Sequence, residues 1–233
     1  MRAFGHAEDL DLAFAGGDRP GVVTALLAAC ADGDAAFWWA MPVGLRIAAL
    51  LRLVALSDET ERLSVRLQCA QAGCGDFFEI DLPLDALTAQ AVDVPLRIEL
   101  PAGRHVALRL PTGNDLRSWH TTPGVDRHAV IAALRIEGEV LADDAVVLGE
   151  AIAAHDPLVA FSVSCVCPAC GFEDDFSVDL EGLALARFAM RQHGMLREVH
   201  VLASRYGWTE QEALAVPASR RAQYIALIED ALS

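Results

Sequence analysis

Two short cysteine turns, widely separated along the sequence, constrain the fold of this chain more than any other feature. One reads CAQAGCG at residues 69–75 and the other reads CPACG at residues 167–171. Each lies between two segments in which apolar and polar residues alternate, a pattern that predicts a β-hairpin. Such a turn directs two sulfurs toward one point, and the glycine after the second cysteine lets backbone amides turn toward them. Both turns therefore have the form of a zinc knuckle.

Two knuckles together supply four thiolates, the number that a structural zinc ion binds in a tetrahedron. We therefore predict one structural zinc ion held by Cys69, Cys74, Cys167 and Cys170. It would join hairpins that are far apart in sequence, and closing so long a loop brings a large entropic benefit. A catalytic zinc is disfavoured, because that role needs an open ligand position and usually a His or carboxylate, and the chain has no HExxH motif.

Other roles for the cysteines remain open from the sequence alone. The CPAC pair is a candidate redox pair, although its place between strands instead of at a helix N-terminus disfavours that chemistry. The wider spacing of Cys69 and Cys74 also leaves open a site that has lost its metal. Cys165 is a candidate replacement ligand or a packed residue, and Cys30 is predicted to pack within a helix.

The overall charge limits the partners of this chain. It carries 18 Lys+Arg, all of them Arg, against 33 Asp+Glu, for a formal net charge of −15. Nucleic acid and anionic membranes need neutralising cations, so neither is an expected partner. The start of the chain lacks a basic stretch followed by an apolar run, which predicts a cytoplasmic protein. Thiols stay reduced there, and six cysteines then favour metal over disulfides.

Hydrophobic periodicity predicts an α+β fold in which a helical scaffold carries the two knuckle hairpins, a further hairpin and C-terminal helices. The predicted hairpins are residues 63–82, 96–110 and 159–178. The predicted helices are residues 21–31, 43–56, 128–134, 142–154 and 180–204, one that begins near Asn114, a short one capped by Thr209 with Glu212, and a last one opened by Pro217. In the second helix, Arg46 and Arg52 are predicted to lie toward the edge of the apolar face.

The two knuckle hairpins form an approximate internal repeat, LSVRLQCAQAGCGDFFEIDL and FSVSCVCPACGFEDDFSVDL. Each is a strand, a cysteine turn and a strand that ends in Asp-Leu, with helical segments before and after. We interpret residues 18–233 as a single domain of two approximate halves, 18–120 and 121–233. Residues 1–17 are interpreted as an N-terminal extension.

The sequence offers no grouping of residues that indicates catalysis. It lacks a GxSxG elbow, a GxGxxG fingerprint and a phosphate loop, and it contains no Lys for Schiff-base chemistry. Its seven His are scattered, and no nucleophile, base and orienting group occur in a recognisable combination. We therefore predict that the protein is not an enzyme.

The C-terminal stretch has the most distinctive sequence in the chain. Residues 196–214 read LREVHVLASRYGWTEQEAL, and residues 220–224 read RRAQY. This ending resembles that of the baseplate hub assembly chaperones of T-even-type contractile phage tails and related contractile injection particles. The segments MPVGLR at 41–46 and LPTGNDL at 110–116, and the Asp-Pro pair before CPACG, are similar to elements of that family and occur in the same order.

The resemblance implies a non-enzymatic factor that binds baseplate or hub proteins, in the cytoplasm or on the particle, and guides their assembly. A structural subunit that stays in the baseplate is the nearest alternative, and a thiol redox or zinc-dependent enzyme is the alternative from another class. Two departures from the family pattern stand out. The first knuckle has four residues between its cysteines where relatives often have two, and Ala213 and Ala215 replace bulkier aliphatics.

The same C-terminal stretch contains the candidate partner-binding residues. Trp, Tyr and Arg are enriched in interface hot spots, which indicates a surface made of Tyr206, Trp208, Arg220, Arg221 and Tyr224. The alternative for Trp208 is packing against the last helices, since large rings often anchor a core. The adjacent Trp38 and Trp39 are a second candidate contact, with one of the two rings expected in the core.

Overall fold

The computed structural model describes residues 1–122, 124 and 126–231, so Pro123, Val125, Leu232 and Ser233 of the predicted second half lie outside the described residues. It confirms the α+β class, because helices surround small antiparallel hairpins and further helices end the chain. The helices are α1 (Arg19–Cys30), α2 (Ala35–Ala40), α3 (Val43–Asp58), α4 (Leu84–Thr88), α5 (Gly113–Thr121), α6 (Arg127–Ala133), α7 (Ala145–His155), α8 (Leu180–Tyr206), α9 (Glu210–Ala215) and α10 (Ala218–Asp230), with 3-10 turns at Ala7–Asp11, Pro101–Gly103 and Ala142–Asp144.

The described strands form three separate antiparallel sheets. They are β1 (Arg62–Gln68), β2 (Phe77–Pro83), β3 (Leu96–Leu100), β4 (Arg104–Leu108), β5 (Arg135–Glu137), β6 (Ser162–Val166) and β7 (Glu173–Ser177). The two knuckle hairpins, β1–β2 and β6–β7, stand alone, while β3, β4 and β5 form one sheet in that order. The sequence did not predict β5, because three residues are too few to show an alternating pattern.

The main core is an aliphatic cluster around α3, on which α1, α4 and α8 pack. Nearly every side of α3 is buried, which explains its almost continuous apolar sequence. Strand β1 adds one face of its alternating pattern to this core, through Leu63, Val65 and Leu67. The partly buried face of β6 and β7 packs against the same cluster, so both knuckle hairpins are anchored in one core.

Two smaller cores lie beside the main one. One lies between the three-stranded sheet and helices α6 and α7, and consists of Leu100, Val106, Leu108, Ile131, Leu134, Leu148 and Ile152. The other joins the end of α8 to α9 and α10, and its buried residues are Val199, Leu202, Ala213 and Ile228. The C-terminal helices therefore rest on few fully buried side chains.

Residues 1–17 are interpreted from the sequence as an extension, but Phe4, Leu10, Leu12 and Phe14 of this segment pack in or against the main core. Phe4 is 1% exposed, and its ring lies 5.3 Å from that of Phe188 in α8. Asp9 is buried, and Arg2 donates two hydrogen bonds of 2.9 and 2.7 Å to its carboxylate. Burial by itself would raise the pKa of Asp9, but Arg2 and two backbone amides outweigh it and hold the pKa below its ordinary value. Apolar and ionic contacts thus both hold this segment in place.

The prediction that Arg46 lies toward the edge of α3 is wrong, because its side chain is completely buried. The guanidinium donates to the carbonyls of Trp38 (3.2 Å) and Pro20 (2.8 Å) and to the hydroxyl of Thr24 (3.0 Å). A charged group tolerates burial when its donors find acceptors, and here α2 and the first turns of α1 supply them to both terminal nitrogens, while the buried Nε has no hydrogen-bond partner. Arg52, six residues further along α3, is exposed.

Trp38 and Trp39 lie on α2, a short helix that the sequence analysis did not predict. Asp34 caps it by accepting a 2.8 Å hydrogen bond from a backbone amide of the first turn. Trp38 is 7% exposed and belongs to the main core, which confirms that one of the two rings is a core residue. The half-buried Trp39 ring lies 5.4 Å from the guanidinium carbon of Arg46 and 5.1 Å from that of Arg117. Trp38 is therefore unavailable as a surface contact, whereas part of the Trp39 ring remains accessible.

Candidate metal centre

The two cysteine turns close the ends of the knuckle hairpins. The amide of Cys69 donates to the carbonyl of Asp76 at 2.9 Å, and the amide of Cys167 donates to the carbonyl of Phe172 at 2.8 Å. Each bond continues the ladder of its hairpin by one more pair. The first cysteine of each turn is therefore held by strand geometry, which the alternating sequence already predicts.

A glycine follows the second cysteine of each turn and lets the chain reverse. Gly75 (φ 66°) and Gly171 (φ 75°) both adopt the left-handed conformation, which glycine reaches without steric cost. The first turn contains residues 70–75 and the second only residues 168–171. The wider cysteine spacing therefore lengthens the first turn by two residues and leaves the strands unchanged in pattern. The Cys-Gly step is the same in both, and Cys74, like Cys170, brings its sulfur into the cluster.

The structure brings the four predicted cysteines together. The sulfurs of Cys69 and Cys170 are 3.6 Å apart, those of Cys74 and Cys167 are 3.9 Å apart, and all four lie within 4.8 Å of one another. A tetrahedron with metal–sulfur bonds of about 2.3 Å has edges of about 3.8 Å, close to these separations. A disulfide would need sulfurs about 2.05 Å apart. The cluster therefore has the dimensions of a tetrahedral metal site.

Backbone amides and burial act in opposite directions on these thiols. The amide of Gln71 is the largest influence on Cys69 and lowers its pKa, but burial and the neighbouring thiols raise the pKa to about 12. At Cys167, burial is the largest influence and raises the pKa, but the amides of Cys170 and Ala169 help bring it down to about 7. Four thiols this close cannot all ionise unless a cation compensates their charge. The cluster is therefore suited to a cation that binds thiolates.

The centre lies where the two hairpins meet. Cys69 and Cys167 are buried, Cys74 is half-buried and Cys170 is exposed. The rings of Phe78 in β2 and Phe176 in β7 pack edge to face, with centroids 5.6 Å apart. An apolar contact and the four sulfurs thus join the same pair of hairpins.

The remaining cysteines lie outside the cluster. Cys165 packs against the main core from the inward face of β6, so it does not replace a ligand. Cys30 is buried in α1, as predicted, with its sulfur 3.8 Å from a carboxylate oxygen of Asp9. Burial, the largest influence, raises the pKa of Cys30 to about 12, which keeps this thiol protonated. Within the described residues, the four-cysteine cluster is the one group with the arrangement of a metal site.

The candidate partner-binding residues form a second feature on the C-terminal helices. Tyr206, Trp208 and Tyr224 each contact the other two, with ring centroids 5.2, 5.8 and 5.3 Å apart. Tyr206 is exposed, while Trp208 and Tyr224 are half-buried against the small C-terminal core. The group of three rings thus packs on the C-terminal core and also reaches the protein surface.

The two arginines of this stretch differ in position. Arg220 is exposed, whereas Arg221 is 5% exposed. The Arg221 guanidinium donates to Glu198 of α8 at 2.7 Å and to the carbonyl of Val216 at 2.7 Å. Its role is therefore to join α10 to α8, which differs from the surface role predicted for it. The RR pair gave no indication of which arginine would point inward.

The segments MPVGLR and LPTGNDL contact each other, a relation that was not predicted from the sequence. The amide of Val43 donates to Pro111 at 2.9 Å, and the amide of Gly113 donates to Met41 at 3.2 Å. A β-carbon at Gly113 would overlap the buried guanidinium of Arg46, so this position needs glycine. An arginine within an apolar helix, together with a Gly-containing turn elsewhere, was the available indication of such a contact.

Fold and centre together define an α+β protein with a four-cysteine cluster that can hold a metal ion. Comparisons of the chain with models of protein families, with curated proteins and with solved structures found no match. Across the part of the chain that the structure describes, no helix is both long enough and apolar enough to cross a membrane.

Proposed function

We propose that the four-cysteine cluster binds one structural zinc ion, and that the protein is a non-enzymatic protein-binding factor for baseplate assembly of a contractile tail or injection particle. The observation that carries the zinc assignment is the approach of four sulfurs from two distant hairpins to within 4.8 Å. Zinc accepts four thiolates in a tetrahedron. With four protein ligands no position is open to a substrate, so the role of the ion is to hold the hairpins together.

The geometry disfavours the alternatives from the enzyme class. A redox pair uses two cysteines, typically activated at a helix N-terminus, whereas here four sulfurs share one centre between strands. A catalytic zinc would keep one position for water or substrate. The strong negative charge disfavours a zinc-ribbon protein that binds nucleic acid.

The assembly role rests on the ordered resemblance of several segments to the baseplate hub assembly chaperones. Two of these segments, MPVGLR and LPTGNDL, bond to each other through backbone groups, and Gly113 of the second lies against Arg46 of the first, which supports treating them as one structural unit. The exposed ring of Tyr206, which packs against the half-buried rings of Trp208 and Tyr224, supports protein binding as the activity. A chaperone leaves the finished particle, whereas a structural subunit stays in it.

Metal analysis of the purified protein tests the zinc assignment. We expect one zinc ion per chain in the natural protein and almost none in Cys69→Ser or Cys170→Ser, because a structural site needs its four ligands. Cys165→Ser is the matched control, since it removes a thiol from the same hairpin but outside the cluster. Protein purified without chelator that contains no zinc, or a Cys165→Ser variant that loses it, would contradict the assignment.

Fractionation of particle assembly tests the proposed role. The protein is expected to co-purify with a baseplate or hub protein encoded in the same genome, and to be absent from finished particles. Retention in finished particles at a fixed ratio would identify a structural subunit instead. If it bound no particle component, and if deletion of its gene left assembly unchanged, the proposed role would be wrong.

A further inference from the structure

The rings of Tyr206, Trp208 and Tyr224, with Leu227 and Arg220 beside them, form what we call the aromatic surface. Both tyrosines of the chain belong to it. Tyr206 is 43% exposed and Leu227 is 61% exposed. In α10, Leu227 follows Tyr224 by three residues and Arg220 precedes Tyr224 by four. The three side chains therefore share one face of the helix.

The aromatic surface covers a small core that does not bury its rings fully. A Tyr or Trp side chain can bury about 150–250 Å² in a core. The buried part of the C-terminal core consists of Val199, Leu202, Ala213 and Ile228, and the three rings pack on it and on one another. One side of the ring group therefore remains available to a partner, which would complete the burial.

Arg220 gives the aromatic surface an uncompensated positive charge. No ion pair or hydrogen bond of its side chain occurs among the described residues, although it is exposed beside the rings. The nearby Glu198 is already paired with the buried Arg221 at 2.7 Å. A carboxylate from a partner is thus the group that Arg220 can bind, through the paired hydrogen bonds that guanidinium forms.

The distribution of charge along the chain favours an acidic partner at this place. Residues 180–233 contain 6 Arg and 6 Asp+Glu, whereas residues 1–179 contain the other 12 Arg and 27 Asp+Glu. The whole net charge of −15 thus belongs to residues 1–179. Exposed charges act over about 8–10 Å at physiological salt, so an acidic segment is repelled elsewhere and tolerated at the C-terminal helices.

We propose that the aromatic surface docks an acidic, amphipathic segment of a partner protein. Apolar side chains of that segment pack on the three rings and Leu227, and a carboxylate binds Arg220. Trp, Tyr and Arg are the residue types enriched among the few hot-spot residues that dominate binding energy in protein interfaces. The proposal rests on the protein-binding function proposed above and adds the chemistry of the partner.

Selection from a displayed library of short random peptides tests this docking. We expect the peptides enriched on the natural protein to combine Asp or Glu with aromatic or aliphatic residues. Their binding is expected to weaken by about tenfold to thirtyfold in Arg220→Glu and in Leu227→Ser, the usual effect of removing a hot-spot contact. A repeated selection on Arg220→Glu is expected to favour peptides with Lys or Arg.

Two matched variants control for general effects of the substitutions. Arg127→Glu reverses an exposed arginine on α6, and Met190→Ser changes a side chain on α8 that is 68% exposed. Both variants should bind the peptides normally.

Three results of the selection would overturn the proposal. They are enrichment of basic peptides on the natural protein, no enrichment, and peptide binding that Arg220→Glu and Leu227→Ser leave unchanged. Self-association that Leu227→Ser abolishes would assign the surface to a second copy and also overturn it. None of these results depends on particle association, so they are distinguishable from failure of the assembly role.

Discussion

A Cys170→Ser variant is expected to lose about 4 kcal/mol or more of the free energy of unfolding. Cys170 is exposed, so the substitution removes little packing and the loss reports on the metal. Its sulfur lies 3.6 Å from that of Cys69, 101 residues away in sequence. An unfolded chain holds no preformed site, and the free energy of metal binding therefore adds to that of folding. Denaturant unfolding followed by circular dichroism measures the difference.

Chelation and a neighbouring cysteine provide the controls for this experiment. Cys165→Ser is expected to change the stability by less than about 1 kcal/mol, because Cys165 lies outside the cluster and keeps a similar volume. A strong chelator should lower the stability of the natural protein to that of Cys170→Ser and have no further effect on the variant. If the chelator left the free energy of unfolding of the natural protein unchanged, no structural metal would be bound.

An Arg46→Ala variant is expected to lose about 3–5 kcal/mol of the free energy of unfolding. The substitution leaves a cavity and removes three hydrogen bonds, two of them to backbone carbonyls that are buried between helices. Each carbonyl keeps another donor, the Thr24 hydroxyl for Pro20 and the Met41 amide for Trp38, so the cavity and the three lost hydrogen bonds account for the expected loss. The same unfolding measurement gives the value, and thermal unfolding gives an independent check.

The same helix offers a matched control for this substitution. Arg52→Ala removes an exposed arginine of α3 and is expected to change the stability by less than about 0.5 kcal/mol. Gly113→Ala should destabilise strongly as well, since its β-carbon would overlap the Arg46 guanidinium. If Arg46→Ala were as stable as Arg52→Ala, the buried arginine would not hold these helices together.

Local patterns account for the elements that could be predicted. The knuckle hairpins follow from strict alternation and from glycine after the second cysteine, and both are observed. The start of α9 follows from Thr209 and Glu212, whose capping box is present with bonds of 2.8 and 3.2 Å. Such features depend on residues a few positions apart, so a sequence reveals them directly.

The features that could not be predicted depend on residues far apart in sequence. Arg46 is buried because α1 and α2 bring carbonyls to it, and Arg221 is buried because α8 presents Glu198. An exposed arginine and a buried one look alike until the acceptors around them are known. The placement of residues 1–17 against α8 has the same origin, since Phe4 meets Phe188 only in the folded chain.

The sequence by itself determined the α+β class, the two turns and the identity of the four cysteines. Tertiary structure decided that those turns meet, with sulfurs from both hairpins inside 4.8 Å, and which arginines point inward. The physical reason is that turn and strand geometry is set by neighbouring residues, whereas the distance between two turns depends on how a shared core anchors both hairpins. That core also determines which buried polar groups find partners.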